Sequence, residues 1–464
     1  MIKRKLNWKR ATSALLAAFL LVAVPTEARA EVYWPEGPSI STPSAIVIEA
    51  NSGAVLYEKN SDEVNYPASI TKIMTTLIAL ENCELDEVVT FSDDAIDLNQ
   101  GDTSHIARDY GEQMTMEQCL YAVMLESANE CAYAVAEHVG QKLGGDYSTF
   151  IDLMNEKAKA LGCKNTNFCN SNGLPDPEHK TSAHDMALIS AEAYKNETFR
   201  IIVSTRSYRI APTNKHSEIT PLNNHHAMIS NYKTRQYLYE YCTGGKTGFT
   251  QAAGSTLVTF AEKDEMALVC VVMRTDTVSQ YLDTTSLFEH CFQNFQSVSI
   301  SDIGSKTEES NENKGIMNNH ESFVKLDENT HVVLPVTADI SEVEMTLVHK
   351  NLPKDVIAQL RYTYGGHVAG EVDVVFSKAQ VEEDYFDGEK KSNGKNVIEI
   401  KSSTILLGFG IIVTIAAVFL IGKRLYDNFY VILHDMEVKK QRRARFRPVS
   451  RKKKKWKRRD RMFK

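Results

Sequence analysis

An apolar run near the C-terminal end is the feature that most restricts how this chain can fold. Residues 405–421 contain no charged side chain, and Thr404 and Gly422 lengthen the run on either side. A segment of roughly 20 apolar residues crosses a bilayer as a helix, because a helix pairs all of its backbone polar groups internally. The sequence therefore predicts one transmembrane helix at residues 404–422.

Charge is distributed unevenly about this predicted helix. Residues 423–464 carry 18 Lys and Arg residues against four acidic ones, although the whole chain has a net charge of −7. Basic segments beside a transmembrane helix stay in the cytoplasm. We therefore expect a basic cytoplasmic tail at 423–464 and the preceding domains outside the cytoplasm, in a single-pass cell-membrane protein. The basic runs of the tail could also indicate nucleic acid binding, but a topology signal that also contacts anionic lipid head groups is the plainer interpretation, so we expect no nucleic acid partner.

The N-terminal residues 1–30 have the pattern of a secretory signal peptide. Five of the first ten residues are basic, an apolar run follows at residues 14–24, and Ala28-Arg29-Ala30 provides a small-x-small cleavage site. The mature chain is expected to begin near Glu31. An uncleaved membrane anchor is the alternative interpretation of the same residues.

The eight cysteines do not indicate a disulfide framework or a metal site. Export would permit disulfides, and Cys163 and Cys169 could close a short loop. Cys119, Cys131 and Cys270, however, lie in apolar runs, and most of the cysteines are therefore expected to be buried free thiols. No cysteine pair has zinc-site spacing with a histidine, so we expect neither a metal nor a cofactor.

Residues 38–296 have the pattern of one large domain of mixed structure. An expected β-hairpin around Asn51-Ser52-Gly53 precedes amphipathic helices, which Gly140 and Gly162 are expected to end. Three β-prone runs and a closing helix complete the domain. This order predicts an α+β fold in which helices pack on an antiparallel sheet.

The pattern changes beyond this domain. Residues 297–320 are polar and acidic and are expected to form a linker. Apolar residues then recur with a period of two, which predicts a small β-rich domain at residues 321–378. Residues 379–403 are again charged and are expected to form a second linker before the transmembrane helix.

A serine and a lysine stand three residues apart in the stretch Pro67-Ala68-Ser69-Ile70-Thr71-Lys72. On a helix such residues share a face, with Cβ atoms roughly 5–6 Å apart, so Ser69 Oγ and Lys72 Nζ can meet. A lysine activates a serine only when it is neutral, and burial and the positive end of a helix both lower a lysine pKa. The pair alone is weak support for catalysis, because the same spacing arises by chance in many helices.

Two further short strings follow in the chain, Ser127-x-Asn129 and Lys246-Thr247-Gly248. Together with Ser69-x-x-Lys72, and in this order, they resemble the signature of penicillin-recognising serine enzymes. The surrounding residues narrow the resemblance to the low-molecular-weight penicillin-binding proteins, which are the D-alanyl-D-alanine carboxypeptidases of peptidase family S11. It covers residues 38–296, and residues 303–378 resemble more loosely the C-terminal domain of that family.

The resemblance implies a β-lactamase/transpeptidase-like fold and a reaction. The enzyme would remove the terminal D-alanine from peptidoglycan stem peptides, and β-lactam antibiotics would be covalent inhibitors. Ser69 would become acylated, with Lys72 as its base. Ser127 would pass a proton to the leaving D-alanine, and Asn129 would hold the substrate amide.

The resemblance also implies how the rest of the site binds its substrate. Lys246 and Thr247 would bind the terminal carboxylate through charge-assisted contacts. Gly248 would let the substrate backbone approach the strand. The backbone N–H groups of Ser69 and Phe249 would form the oxyanion hole.

Three alternatives share these residues. A class A β-lactamase needs a further glutamate to activate the deacylating water, and Glu178 is a formal candidate, but the β-rich domain and the membrane anchor argue against such an enzyme. An endopeptidase or transpeptidase activity on cross-links would use the same residues. A non-catalytic penicillin-binding sensor would need a signalling motif, which the basic tail lacks.

Overall fold

The computed structural model describes residues 33–98, 101, 103–300, 324–326, 331–348 and 356–376. All of these residues belong to the first of the two units into which the chain divides, Met1–Gln380. The expected signal peptide, second linker, transmembrane helix and tail lie outside them. In the part of the chain that is described, every helix is too short or too polar to cross a bilayer.

Strands and helices alternate in the described residues as the mixed pattern predicts. The strands are β1 Ser44–Glu49, β2 Val55–Lys59, β3 Val88–Thr90, β4 Gln113–Thr115, β5 Ser207–Ile210, β6 Thr220–Asn223, β7 Cys242–Thr250, β8 Gly254–Lys263, β9 Met266–Thr275, β10 Phe295–Ser299, β11 Val324–Leu326, β12 His331–Pro335, β13 Glu344–Val348, β14 Val356–Tyr364 and β15 His367–Phe376. The α-helices are α1 Lys72–Asn82, α2 Asp93–Asp97, α3 Met116–Tyr121, α4 Asn129–Lys142, α5 Tyr147–Ala160, α6 Ala183–Lys195, α7 Glu197–Ser204 and α8 Ser279–Asn294.

The central sheet has five antiparallel strands in the order β2-β1-β9-β8-β7. The predicted hairpin joins β1 to β2, and Gly53 supplies the positive φ of 70° that its turn requires. Strand β1 also pairs with β9, and Ser44 lies opposite Met273. Strand β7, which carries Lys246, lies at one edge and pairs with β8.

Both faces of this sheet are buried. Alternate strand residues point to opposite sides, and the residues on each side pack into a separate core. Ile46, together with Val269, packs into the large core formed with helices α1 and α3 to α7. Val47, together with Cys270, packs into a second core formed with α8. The α+β class with helices on an antiparallel sheet is therefore confirmed.

Helix ends follow the capping chemistry of the sequence in most places. Thr115 caps α3 in a reciprocal pair with Gln118, and Ser182 caps α6. Gly162 follows α5 with a φ of 85°. The expectation for Gly140 is wrong, because this residue lies inside α4, where an added Cβ would stand 1.9 Å from the Asp146 carbonyl oxygen. All eight cysteines are free thiols, five of them buried.

The β-rich segment forms its own sheet, in the order β11-β15-β14-β13, and a separate pair of strands, β10 and β12. Strand β10 begins directly after α8 and crosses the boundary predicted between residues 296 and 297. Trp34 stacks on His367 with ring centroids 4.4 Å apart, and Glu371 donates its backbone N–H to the Ser52 carbonyl at 3.2 Å. The β-rich segment therefore packs directly on the large domain.

Candidate active site

The expected nucleophile Ser69 lies on a short 3-10 turn, Ala68–Thr71, that leads directly into α1. Residues three apart are nearly eclipsed in such a turn, which brings Ser69 over Lys72. Ala68, just before the serine, has a left-handed φ of 52°, which is unusual for a residue with a side chain. The turn is fixed to the sheet because Thr256 Oγ1 donates to the Pro67 carbonyl oxygen at 2.8 Å.

Lys72 is completely buried, and its Nζ meets three oxygens. It lies 3.1 Å from Ser69 Oγ, 2.7 Å from Asn129 Oδ1 and 2.5 Å from the carbonyl oxygen of Asn172. An uncharged amine has two hydrogens and one lone pair. If the two amide oxygens take the hydrogens, the lone pair is left for the hydroxyl hydrogen of Ser69. A charged amine can donate to the same three oxygens, so proton transfer needs little rearrangement.

The electrostatic surroundings favour the uncharged form of Lys72. Burial lowers its pKa well below the usual value, and the positive charge of Lys246 lowers it further. The carboxylate of Glu130 acts in the opposite direction. The predicted effect of burial is confirmed, whereas the contribution of Lys246 depends on the tertiary structure and could not be predicted from spacing.

Ser127 and Asn129 lie where the chain changes from one helix to the next. Ser127 ends the π-helical turn Ala122–Glu126 with a left-handed φ of 61°, and Asn129 begins α4. The Asn129 amide oxygen is held by Lys72, and its backbone N–H donates to the Ser104 carbonyl at 2.9 Å. The buried hydroxyl of Ser127 has no hydrogen-bond partner among the described residues, so it is uncommitted.

Lys246 is a second buried lysine, with 2% of its surface exposed. Its Nζ donates to the Thr247 carbonyl oxygen at 2.9 Å. Burial lowers the pKa of Lys246 to about 7, the Glu126 carboxylate acts to raise it, and Lys233 lowers it. A pKa near 7 means that the amine changes charge near neutral pH, and only its protonated form can pair with a carboxylate.

Gly248 brings β7 close to the 3-10 turn that carries Ser69, Ala68–Thr71, which we call the nucleophile turn. A Cβ added at this position would stand 2.4 Å from Thr256 Oγ1 and 2.9 Å from the backbone nitrogen of Ser69. Only glycine fits this approach of β7 to Ser69. The expected approach of a substrate backbone to Gly248 stays a prediction. Phe249 follows with 64% of its surface exposed, and Thr247 is partly buried.

Two neighbours of the nucleophile turn were not singled out by sequence reasoning. Asn172 contributes its carbonyl oxygen to Lys72, and Gly173 lies so close that an added Cβ would stand 1.9 Å from the Ala68 carbonyl oxygen. Asn-Gly is a turn signal, but nothing in the sequence shows which helix the turn packs against.

The carboxylate considered for a β-lactamase does not bind the catalytic pair. The Glu178 side chain is 75% exposed and lies 3.5 Å from Lys180 Nζ. In the part of the chain that the structure describes, no carboxylate lies within hydrogen-bond distance of Ser69 or Lys72.

One group of potential metal ligands is present elsewhere. Cys83, Glu87 and His138 bring one ligand atom each within 4.8 Å of one another. Glu87 is already engaged, since it pairs with His138 at 2.9 Å and with Lys142. The cluster could not be predicted from spacing, because His138 comes from a distant helix.

Comparison with known proteins finds D-alanyl-D-alanine carboxypeptidases similar in sequence to this chain. The sequence model of peptidase S11, described as D-alanyl-D-alanine carboxypeptidase, matches residues 31–277. The D-alanyl-D-alanine carboxypeptidase DacF of Bacillus subtilis is 31% identical, over 62% of this chain and 72% of its own. The corresponding DacA of Haemophilus influenzae is 30% identical, over 65% of this chain and 75% of its own.

Solved structures of DD-transpeptidase and penicillin-binding proteins are similar to this chain in fold and sequence. The DD-transpeptidase of Streptomyces K15 superimposes with a TM-score of 0.51 and 28% identity, covering 56% of this chain and all of the other. Penicillin-binding protein 5 from Haemophilus influenzae gives a TM-score of 0.55 and 26% identity, covering 74% of this chain and 98% of the other. The chain therefore belongs to peptidase family S11, the D-alanyl-D-alanine carboxypeptidases.

Proposed function

We propose that this protein removes the terminal D-alanine from peptidoglycan stem peptides through an acyl-enzyme on Ser69. The observation that carries the proposal is the environment of Lys72. Its amine is buried, its pKa is lowered, and it lies 3.1 Å from the Ser69 hydroxyl with two amide oxygens on its other sides. Such an amine can accept a proton from the serine at neutral pH.

Acylation then proceeds in two linked transfers. Ser69 Oγ bonds to the carbonyl carbon of the penultimate D-alanine, and its proton moves to Lys72. The backbone N–H groups of Ser69 and Phe249 stabilise the oxyanion. As the C–N bond breaks, the uncommitted hydroxyl of Ser127 gives a proton to the leaving nitrogen and takes one from Lys72.

Deacylation reverses the roles with water as the nucleophile. Water adds to the ester carbon and loses a proton to the Lys72 amine, and the ester C–O bond breaks as Ser69 Oγ regains a proton. The stem peptide leaves one residue shorter. Asn129 holds the substrate amide, and Lys246 with Thr247 holds the terminal carboxylate, while Gly248 leaves room for the substrate backbone.

The proposal is tested by incubating the full chain, in detergent, with a stem peptide ending in D-Ala-D-Ala. Mass spectrometry should show the loss of one alanine residue. A penicilloyl-enzyme should be long-lived, since no carboxylate of the described residues lies at Ser69 or Lys72 to serve as the additional glutamate by which a class A β-lactamase activates water. Rapid penicillin turnover without D-alanine release would indicate a β-lactamase. Acylation by penicillin with no D-alanine release would indicate a sensor, and cleavage only of cross-linked dimers would indicate an endopeptidase.

We also propose the membrane topology that the sequence predicts, with a cleaved signal peptide at residues 1–30, a transmembrane helix at 404–422 and a cytoplasmic tail. Protease added to intact spheroplasts of the expressing cells should remove the domains at residues 38–378 and leave a small basic fragment in the membrane. A cytoplasmic protein of the same cells serves as the lysis control. A catalytic domain that is protected from protease would contradict the proposed orientation.

A further inference from the structure

We propose that Thr71 and His179 are positioning residues that hold the turn on which Ser69 is presented. The proposal rests on the proposed role of Ser69 as the nucleophile. Thr71 Oγ1 lies 2.9 Å from the Ala68 carbonyl oxygen and 2.8 Å from His179 Nε2. His179 Nδ1 lies 2.9 Å from the backbone nitrogen of Cys169. The chain of contacts thus runs from a distant loop to the residue before the nucleophile.

The donors and acceptors fix the direction in which the hydrogen bonds run from Cys169 to Ala68. The backbone N–H of Cys169 can only donate, so His179 Nδ1 accepts and carries no proton. The remaining ring proton is therefore on Nε2, which donates to Thr71 Oγ1. The Thr71 hydroxyl is then free to donate its own hydrogen to the Ala68 carbonyl oxygen. Each donor is matched to one acceptor in this arrangement.

The surroundings keep this arrangement fixed. Thr71 is fully buried, His179 is 1% exposed, and the Phe168 ring packs at a tilt on the imidazole. Burial lowers the pKa of His179 to about 4, with Asp176 acting to raise it and Lys72 acting to lower it. The ring is therefore neutral at physiological pH, as the direction of the chain requires.

The nucleophile turn needs such support because its backbone is unfavourable without it. Ala68 adopts a φ of 52°, which a residue with a Cβ rarely occupies unless the surroundings impose it. Its carbonyl oxygen is held on one side by the Thr71 hydroxyl, and Gly173 packs against the same oxygen on another. Since Ser69 follows immediately, any relaxation of Ala68 would move Ser69 Oγ relative to Lys72 Nζ.

The test compares the full-length variants Thr71→Val, Thr71→Ser and His179→Phe in their acylation by a fluorescent penicillin. Thr71→Val keeps the side-chain shape but removes the hydroxyl, so the acylation rate constant should fall about five- to tenfold, with the initial binding constant unchanged. Thr71→Ser restores the hydroxyl and should recover the rate to within about twofold. His179→Phe should reduce the rate constant less, because the Thr71 hydroxyl remains.

Thr76→Val is the matched control, because Thr76 is a buried threonine in α1, the helix that directly follows Thr71, and its hydroxyl has no partner among the described residues. It should acylate at the wild-type rate. Thermal melting shows which variants are folded, and any folded Thr71→Val or His179→Phe protein that acylates at the wild-type rate overturns the proposal. An equal loss in Thr76→Val, or a failure of Thr71→Ser to recover the rate, also overturns it. A wild type that is not labelled at Ser69 would instead refute the proposed function.

Discussion

Replacing Ser69 with alanine should abolish covalent labelling by a fluorescent penicillin, by at least about a thousandfold, while the protein still folds. The reason is chemical, because no other hydroxyl in the described residues lies within hydrogen-bond distance of Lys72 Nζ. Folding should survive, because Ser69 is only partly buried and the substitution removes one oxygen at 3.1 Å from Lys72. Gel fluorescence and intact mass measure the label, and thermal melting measures the fold.

Ser190→Ala is the control for this experiment. Ser190 is buried in α6, and its hydroxyl has no hydrogen-bond partner in the described part of the chain. The same atom is therefore removed from a more deeply buried site that does not contact Lys72, and labelling should stay at the wild-type level. Full-strength labelling of Ser69→Ala would show that the nucleophile has been assigned to the wrong residue.

The second large effect is expected at Lys246. Charge-assisted hydrogen bonds contribute roughly 1.5–3 kcal/mol, so Lys246→Ala should lower kcat/KM for a D-Ala-D-Ala peptide by at least about tenfold. Lys246→Arg should recover part of this loss, because it keeps the charge but presents a planar fork in place of a compact amine. Lys215→Ala, which removes an exposed lysine, should leave kcat/KM unchanged. D-alanine release measures all four proteins.

The pH dependence of these proteins separates the two lysines. Lys72 must be neutral to act as a base, so kcat/KM should rise with pH through its lowered pKa. Lys246 must be protonated to bind a carboxylate, and because burial lowers its pKa to about 7, kcat/KM should fall again above this pH. Lys246→Arg should lose the falling limb, since arginine stays charged. A wild-type profile that stays level well above pH 7 would contradict the proposed role of Lys246.

Local patterns predicted those parts of the site that depend on few residues. Ser69 and Lys72 are three residues apart, so their contact follows from the geometry of one turn. The capping of α3 by Thr115 likewise depends on neighbours in sequence. In each case the physical cause lies within a few residues of the observation.

The parts that sequence could not predict depend on distant partners. The carbonyl oxygen of Asn172 contacts Lys72 Nζ from a loop that lies 100 residues further along the chain. Glycine is common just after the end of a helix, but Gly140 lies within α4, where the absence of a side chain lets the Asp146 carbonyl approach the helix. The predicted domain boundary falls within strand β10, because the residues of β10 alone do not reveal that this strand pairs with β12. Only the assembled sheet and helices determine these contacts.

The order of strands in the central sheet has a consequence for how the protein is made. Strand β1 occupies an interior position, but its second neighbour, β9, is synthesised more than two hundred residues later. The β1–β2 hairpin therefore waits with one edge unpaired, and closing so long a loop makes folding slow. Cys119 and Cys131, which end inside the large core, are synthesised before β9 and are not yet buried in the completed core during this interval. These two thiols are thus more open to oxidation during biosynthesis than in the native state, where both are buried.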